Sequence, residues 1–585
     1  MKKSLLNSVK EIDQSMLKMQ LGAYQNAIEM RLDKMQEEQF PSRFWKKDPE
    51  LWKKDPLTKE ISNSMGWLNV VEKMLQALPL LEQFKADIKE AGFSHVILMG
   101  MGGSSLAPLV FQRSYSKDIN NLPLTILDTT DPITIKAIEK KAPLENTLFI
   151  VAGKSGTTSE TTAFYDYFYD KMKLLKVDRA GENFVAITDP GTRLLKLAEE
   201  QNFRHIFLNF ADIGGRYSAL SYFGIVPAVL LEINVRKLLE RSLKMVCNCA
   251  PYIPIHHNPG FLMGGVIGEL AKQGRNKLTF LMSPSLSPLT IWLEQLIAES
   301  TGKEGVGILP VDGNPLGEPN MYGEDRVFVY VSFSNETEEL IEDKLKELAN
   351  AGHPVITVYL EDLLDLGQEF FRWEVATATA GAILGINPFD QPNVQESKDI
   401  TNSLLKQLQE QGHLPVEAPV FTEGPLRYYS SENVEKGELL LEEFFGKARP
   451  GDYIAIQAYL TESPEIEKAL QDISLYLNER LRLPVTIGYG PRYLHSTGQY
   501  HKGGPATGLF LQLTTEDCDD VPIPGHSYTF GVFKKAQALG DLKALRNHKR
   551  KVISINLGRN TVKGLIVLKQ KIEEAQIEYL MNVHW

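Results

Sequence analysis

Cysteine is scarce in this sequence, and long apolar runs are absent from it. The 585 residues include only three cysteines, too few for a disulfide scaffold, and free thiols are typical of a reducing compartment. No run of about 18 uncharged apolar residues occurs, which argues against membrane-spanning helices. The basic N-terminus lacks a signal-peptide apolar core, because Lys10, Glu11 and Asp13 interrupt it. We therefore expect a cytoplasmic protein without a membrane partner.

Positive charge is also in deficit. Lys and Arg number 63 against 74 Asp and Glu, which gives a net charge of −11 and argues against a nucleic-acid partner. A small anionic substrate is compatible with this balance only where a pocket is locally positive. Neither His256–His257 nor the pair His495 and His501 has metal-ligand spacing with a nearby carboxylate motif. We predict no metal and no cofactor.

Apolar periodicity divides the chain into five parts: a helical segment over 1–90, an α/β domain over 91–250, a second over 251–411, an irregular linker over 412–432 and a third α/β unit over 433–585. The N-terminal segment has helical spacing over Met16–Glu38 and Trp67–Glu90. Strands and helices alternate in the two central domains, which predicts parallel sheets with helices on both faces. The expected fold class is α/β, with two doubly wound sheets, a helical lead and an extra C-terminal unit.

Two glycine-containing turns follow predicted strands. The turn GMGGSS, residues 100–105, allows close backbone approach and exposes helix-start N–H groups that favour an anion. It is either a ligand-binding turn or an ordinary strand-to-helix turn. The segment GKSGTTSETT, residues 153–162, carries six hydroxyl side chains and one lysine. A helix cap explains one or two hydroxyls but not six, so we interpret this segment as a cradle for a monophosphate.

Three further segments carry charged side chains in suggestive places. Arg216 follows a glycine pair, where it could stabilise an oxyanion or simply form a surface ion pair. Glu299 lies in the last turn of a predicted helix, where the dipole disfavours an anion and suits a general base. The alternative is an exposed glutamate beside two solvated neighbours, Lys303 and Glu304. The loop NPFDQPNVQESK, residues 387–398, is either a site loop or a rigid connector.

Together these five segments, in this order, resemble the phosphoglucose isomerase family, which is built from two sugar-isomerase (SIS) domains. The resemblance covers residues 60–400 and rests on GMGGSSLAP, GKSGTTSET, GGRYS, ESTGK and NPFDQPNVQESK. A GWL segment near Trp67 and the tail GPRYLHSTGQYHKGGP look most like the isomerase half of bifunctional transaldolase/phosphoglucose isomerases. The chain begins almost at that half, so we expect a functional link to transaldolase to involve a separate chain.

The resemblance implies roles for the residues that match. The sugar-contacting turn corresponds to Gly103 and Ser104, and the phosphate loop to Lys154, Ser155, Thr157 and Thr158. The family loop usually reads Ser-Lys-Thr-x-Thr-Thr. Here Gly153 replaces the first serine and Ser155 replaces the first threonine, so one hydroxyl ligand is missing.

The resemblance also implies the catalytic groups. Arg216 matches the arginine that steadies the enediolate, Glu299 matches the catalytic base, and Gln391 and Lys398 match the late loop that closes on the substrate. The family places its ring-opening histidine in a GTNGQH-type segment between ESTGK and NPFDQ, and this sequence has none there except His353, outside such a motif.

Ring opening therefore has several candidates. The most similar segment, STGQYHKGG, contains His501 but lies after NPFDQ. His501 is therefore our candidate for the ring-opening histidine. His495 is a weaker one, and Lys398 is the alternative.

The implied activity is glucose-6-phosphate isomerase, which interconverts glucose 6-phosphate and fructose 6-phosphate through a cis-enediol without cofactors. A homodimer is expected, since family members are commonly dimers. Two alternatives stay open: a dual-specificity phosphoglucose/phosphomannose isomerase, and a non-catalytic SIS module that binds a phosphosugar. The presence of both Arg216 and Glu299 favours an enzyme.

Overall fold

Three sheets carry the fold, each with a parallel core covered by helices. The computed structural model describes residues 16–54, 59–116, 122–313, 316–336, 339–431 and 437–575. The predicted α/β class with parallel sheets is confirmed. Parts of the predicted helical lead and tail, residues 1–15, 433–436 and 576–585, lie outside the described residues. No helix in the described ranges is long and apolar enough to cross a bilayer.

The N-terminal segment is mostly helical, but it begins with a strand. The prediction of one helix over Met16–Glu38 is wrong at its start, because β1 (Leu17–Gln20) alternates apolar and polar residues and pairs with the second sheet. The helices that follow are α1 (Gln25–Glu37), α2 (Phe40–Trp45), α3 (Lys59–Ser62), α4 (Val70–Gln76) and α5 (Leu78–Glu90).

The first α/β unit is a five-stranded, all-parallel sheet in the order β3-β2-β4-β5-β6. Its strands are β2 (His95–Met99), β3 (Leu124–Leu127), β4 (Thr147–Ala152), β5 (Phe184–Thr188) and β6 (His205–Leu208). Its helices, together with two that lead out of it, are α6 (Leu106–Ser114), α7 (Pro132–Lys141), α8 (Ser159–Lys176), α9 (Arg193–Glu200), α10 (Tyr222–Leu230) and α11 (Val235–Asn248).

The second unit has the sheet order β1-β10-β9-β7-β8, in which only β1 runs antiparallel to its neighbour. Its strands are β7 (Lys277–Met282), β8 (Leu309–Val311), β9 (Arg326–Phe333) and β10 (Val355–Leu360). Its helices are α12 (Pro259–Lys272), α13 (Leu289–Thr301), α14 (Glu339–Asn350), α15 (Leu366–Leu384) and α16 (Pro392–Gln411).

The third unit takes strands from the segment predicted to be an irregular linker. Within 412–432, β11 (Phe421–Glu423) and β12 (Leu426–Tyr429) form a hairpin that pairs with β16. The turn between them contains Gly424 at φ +55°, followed by a proline, a turn signal that the irregular composition hid. The remaining elements are α17 (Leu440–Phe445), β13 (Tyr453–Tyr459), α18 (Pro464–Leu481), β14 (Val485–Tyr489), α19 (Gly498–Gly503), β15 (Gly508–Thr514), α20 (Phe530–Asn547), β16 (Lys551–Asn556) and α21 (Thr561–Glu574).

A shared hydrophobic core joins the N-terminal segment to the first two units. Trp67, which is fully buried, stacks on Tyr217 of the first unit with ring centroids 5.2 Å apart. Its other neighbour, Phe371 of the second unit, lies edge-on at 5.8 Å. One aromatic side chain thus fixes both units against each other.

Buried charge joins the third unit to the first. The Lys534 ammonium donates to Asp131 Oδ1 at 2.8 Å and to Asp517 Oδ1 at 2.6 Å. Burial alone would raise the pKa of Asp131, but the Lys534 charge and the hydrogen bonds from Lys534 and Thr134 together outweigh burial and lower that pKa. The third unit is therefore anchored through a cation that two carboxylates share.

We expect Lys534→Met to lower the free energy of unfolding by about 3–5 kcal/mol, because it leaves two carboxylates without their counter-charge. Urea unfolding measures this loss. Lys535→Met is the matched control, since that neighbouring side chain is exposed. Equal unfolding midpoints for both variants would contradict the anchoring role.

Candidate active site

The site lies at the carboxyl edge of the first sheet, where the strand order reverses. The chain runs from β2 outward to β3 and then returns to β4 on the other side of β2. Ligands of doubly wound sheets bind at such a switch point. The GMGGSS turn follows β2 and the GKSGTT loop follows β4, so the two predicted loops flank this crevice.

The first turn requires glycine at residue 103. A Cβ atom placed on Gly103 would lie 2.0 Å from the carbonyl oxygen of Gly215, so the two glycine-containing turns touch through their backbones. Ser104, beside it, is buried. This contact places Arg216, the residue after Gly215, next to the crevice.

The phosphate loop presents hydroxyls at the start of α8. Ser155 and Thr157 are exposed and share a hydrogen bond of 2.8 Å between their hydroxyls. Thr158 is the residue that precedes the helix, with extended backbone. Lys154 forms an ion pair with Asp189 and donates to Ala211 O at 2.9 Å. Hydroxyls, a lysine and a helix N-terminus in one place suit a phosphate group.

Arg216 is buried and ties the first unit to the second. Its guanidinium donates to Ser300 Oγ at 2.8 Å on α13. It also donates to Pro388 O at 2.7 Å, Asp390 O at 2.8 Å and Gln391 Oε1 at 2.9 Å in the late loop. The alternative of a surface ion pair does not hold, since only 3% of this side chain is exposed.

Glu299 lies in the last turn of α13, which ends at Thr301. Its carboxylate is 3.2 Å from Arg216 Nη1 and accepts a hydrogen bond of 2.9 Å from Gln295 Nε2. A fixed cation thus compensates the unfavourable position at the helix end. Sequence reasoning missed Gln295, although its place one turn before Glu299 is a usable signal.

The structure corrects another expectation, because Lys303 is not a solvated neighbour of Glu299. Its side chain is 3% exposed, and its ammonium contacts Asn387 O at 2.5 Å and Asp390 Oδ1 at 2.8 Å. Burial, with the Arg216 charge second, lowers the pKa of Lys303 to about 7. Lys303 and Arg216 therefore hold the same loop from the same side, whereas Glu304 is exposed.

A cavity of 270 Å³ opens beside this centre. It brings Lys398 of α16 together with Thr157 and Thr158 of the phosphate loop. The third unit supplies part of its wall, through Leu494, His495, Phe533 and Gln537. Glu299 is connected to this wall by hydrogen bonds, because Gln295 Nε2 donates to Glu299 Oε2 at 2.9 Å and to His495 O at 2.8 Å.

His501 does not join this set. It is 3% exposed, its Nδ1 lies 3.0 Å from the Tyr453 hydroxyl, and it packs on the Phe510 ring. Burial lowers the pKa of His501 well below its usual range, so it is neutral core of the third unit. His353 contacts Arg275 at 3.1 Å instead. The described residues contain no group of three or more side chains able to hold a metal ion.

The comparisons with known proteins agree with this geometry. The phosphoglucose isomerase family model matches residues 60–309. This range contains the GMGGSS turn, the GKSGTT loop, Arg216 and Glu299. A probable glucose-6-phosphate isomerase of Methanococcus maripaludis is 29% identical over 387 residues, 59% of this chain and 85% of that protein. The glucose-6-phosphate isomerase of Methanocaldococcus jannaschii is 28% identical over 54% of this chain and 85% of its own length.

Solved structures share the fold. A hypothetical protein of Thermus thermophilus superposes with a TM-score of 0.56 at 21% identity, over 66% of this chain and 99% of its own. A glucose-6-phosphate isomerase of Chlamydia trachomatis superposes with a TM-score of 0.50 at 19% identity, over 57% of this chain and 74% of its own.

We expect Gly103→Ala to lower both thermal stability and isomerase turnover, because the new methyl group meets a rigid backbone carbonyl. Gly214→Ala is the matched control in the neighbouring turn, where a Cβ meets nothing within 4 Å and φ is −68°. Thermal unfolding and steady-state assays measure the two effects. Equal behaviour of the two variants would show that the two turns need not touch.

Proposed function

We propose that the protein is a glucose-6-phosphate isomerase, which interconverts glucose 6-phosphate and fructose 6-phosphate. The observation that carries this function is the buried Arg216–Glu299 pair, which Gln295 connects to the wall of a cavity lined by the hydroxyl-rich loop. A general base next to a fixed cation suits proton transfer alpha to a carbonyl, with the developing oxyanion held by the cation.

The substrate phosphate binds at residues 153–158. Loop hydroxyls and the first N–H groups of α8 donate to its oxygens, and Lys154 supplies positive charge. Local positive charge from Lys154, Arg216 and Lys398 explains how a chain of net charge −11 accepts an anion. Gly103, Ser104 and Gln391 face the sugar.

Glu299 transfers the proton between carbons. Its carboxylate removes the proton from C2 of the open-chain aldose and returns it to C1, while one hydroxyl proton passes from O2 to O1. Arg216 stabilises the enediolate between these two steps. Substrate oxygens take over hydrogen bonds that Arg216 now makes to Glu299 and Gln391.

A non-catalytic phosphosugar module has less support, because such a module needs no base. The base and its cation are both present and 3.2 Å apart. Assaying mannose 6-phosphate alongside glucose 6-phosphate separates a dual-specificity enzyme from a glucose-specific one.

The setting of the enzyme is also a proposal. The scarcity of cysteine supports a cytoplasmic location. The dimeric state common among phosphoglucose isomerases supports a homodimer. The likeness of the GWL segment and of the C-terminal tail to bifunctional transaldolase/phosphoglucose isomerases supports a functional link to a transaldolase chain. Co-purification with transaldolase and measurement of mass in solution test these points.

We expect Glu299→Gln to reduce kcat by roughly 100- to 10,000-fold, because the amide cannot accept the C2 proton. Binding of glucose 6-phosphate, followed by calorimetry, should persist, since the amide oxygen still accepts from Arg216. Glu304→Gln, five residues along the same motif and exposed, is the control. Normal turnover by Glu299→Gln would disprove the assignment of the base.

We expect Lys154→Met to raise KM for fructose 6-phosphate roughly 10- to 100-fold, because a hydrogen bond to a charged group contributes about 1.5–3 kcal/mol. Steady-state kinetics at low ionic strength measure this change. Lys196→Met removes an exposed lysine and should leave KM unchanged. A KM effect shared by both variants would point to net charge rather than to a phosphate contact.

A further inference from the structure

His495 of the third unit lies in the cavity wall, and its position is tightly determined. It ends a short 3-10 turn, Arg492–His495. That turn is anchored to the first unit, because the Arg492 guanidinium donates to both oxygens of Asp128 at 2.7 and 2.8 Å. A Cβ on Gly102 would lie 3.2 Å from His495 Cβ. The glycine-rich turn therefore leaves just enough room for this residue.

The imidazole of His495 contacts a buried carboxylate. Its Nε2 lies 3.0 Å from Glu160 Oε1, and the two side chains are 10% and 8% exposed. The same Glu160 oxygen accepts from Gln537 Nε2 at 2.8 Å, and Gln537 Oε1 accepts from Thr130 Oγ1 at 2.7 Å. Two units thus build one polar chain that orients the carboxylate toward the histidine.

The charge of Glu160 suits this role. Burial works to raise the pKa of Glu160, but the His495 charge and hydrogen bond, with Lys398 further off, outweigh burial and lower that pKa. An ionised carboxylate favours a proton on Nε2, which leaves Nδ1 to face a ligand. Among the described residues, Nδ1 of His495 makes no hydrogen bond that would compete.

His495 is also connected to the catalytic base. The Gln295 amide that donates to Glu299 Oε2 at 2.9 Å donates to the backbone oxygen of His495 at 2.8 Å. The phosphate loop and Lys398 line the same cavity. A hexose phosphate held by that loop would therefore lie against His495, with Glu299 one hydrogen-bonded residue away through Gln295.

We propose that the appended third unit supplies the ring-opening acid of the reaction, with His495 as the catalytic residue and Glu160 and Gln537 as its positioning residues. This inference rests on the proposed isomerase function. In the step, Nδ1–H of the imidazolium gives its proton to the ring oxygen as the bond from the anomeric carbon to that oxygen breaks. The anomeric hydroxyl loses its proton to water, and the anomeric carbon becomes the carbonyl. Solvent returns a proton to the imidazole.

The decisive experiment compares a closed substrate with an open one. Fructose 6-phosphate must open its ring, whereas 5-deoxyfructose 6-phosphate lacks the hydroxyl that closes it. We expect His495→Gln to lose roughly 100-fold or more of its turnover of fructose 6-phosphate. Isomerisation of the 5-deoxy substrate, followed as solvent deuterium uptake at C1 by NMR, should change less than about threefold. Retained activity on the open substrate also shows that the variant is folded.

The matched control is His526→Gln. His526 is another third-unit histidine that contacts a carboxylate of α8, with Nε2 3.0 Å from Asp166 Oδ2, but it does not line the cavity. It should leave turnover of both substrates unchanged. Gln537→Met should show the same selective loss as His495→Gln, smaller in size, and supports the inference if the His495 variant fails to fold.

Three results would overturn the inference. Equal losses on both substrates in folded His495→Gln would mean that the histidine is not a ring-opening acid. A selective loss in Lys398→Gln, with His495→Gln normal, would assign the step to the lysine. A wild-type protein that isomerises neither substrate would overturn the proposed function itself, and this inference with it.

Discussion

The buried guanidinium of Arg216 is the interaction on which the site depends. Taking this cation out of water is costly unless its donors are all used. The structure meets that demand with oxygens from α13 and from the loop at 388–391, all at 2.7–2.9 Å. These oxygens belong to the second unit, whereas Arg216 belongs to the first. The same contacts that satisfy the cation therefore fix Glu299 of the second unit against Arg216 of the first.

Lys303 reinforces this arrangement from within the second unit. Burial lowers the pKa of Lys303, and repulsion by the nearby Arg216 guanidinium lowers it further. Asp390 relieves the repulsion by pairing with Lys303 at 2.8 Å. The loop that leads into Lys398 is thus bound by two cations: Arg216 donates to its backbone oxygens, and Lys303 contacts Asn387 O and pairs with Asp390.

Sequence patterns predicted what is local. Strand-helix alternation correctly predicted the parallel sheets, and the GMGGSS turn and the hydroxyl-rich loop follow strands as expected. Burial was harder to predict. Lys303 looks solvated among the polar residues of ESTGKEG, but whether it is buried depends on the tertiary packing around it. Contacts across long separations could not be predicted: Glu160 and His495 are 335 residues apart, and the local STGQYHKGG segment favoured His501 over His495. The apolar–polar alternation of Leu17–Gln20 covers only four residues. The helical spacing of the residues that follow therefore led to the prediction of one continuous helix.

The third unit forms part of the cavity wall and is not merely a domain appended to the first two units. Besides a shared hydrophobic core, its contacts with the first unit include three mostly buried charged pairs: Arg492 with Asp128, Lys534 with Asp131 and His495 with Glu160. Burying a charged pair costs desolvation, and the pair is favourable only when its two groups meet in good geometry. These pairs therefore fix the position of the third unit on the first more than they strengthen the contact between the units. Two of these pairs, Arg492 with Asp128 and His495 with Glu160, lie within four residues of each other on the third unit. The docking that anchors the unit therefore also places the His495 imidazole in the wall of the cavity that Thr157, Thr158 and Lys398 line.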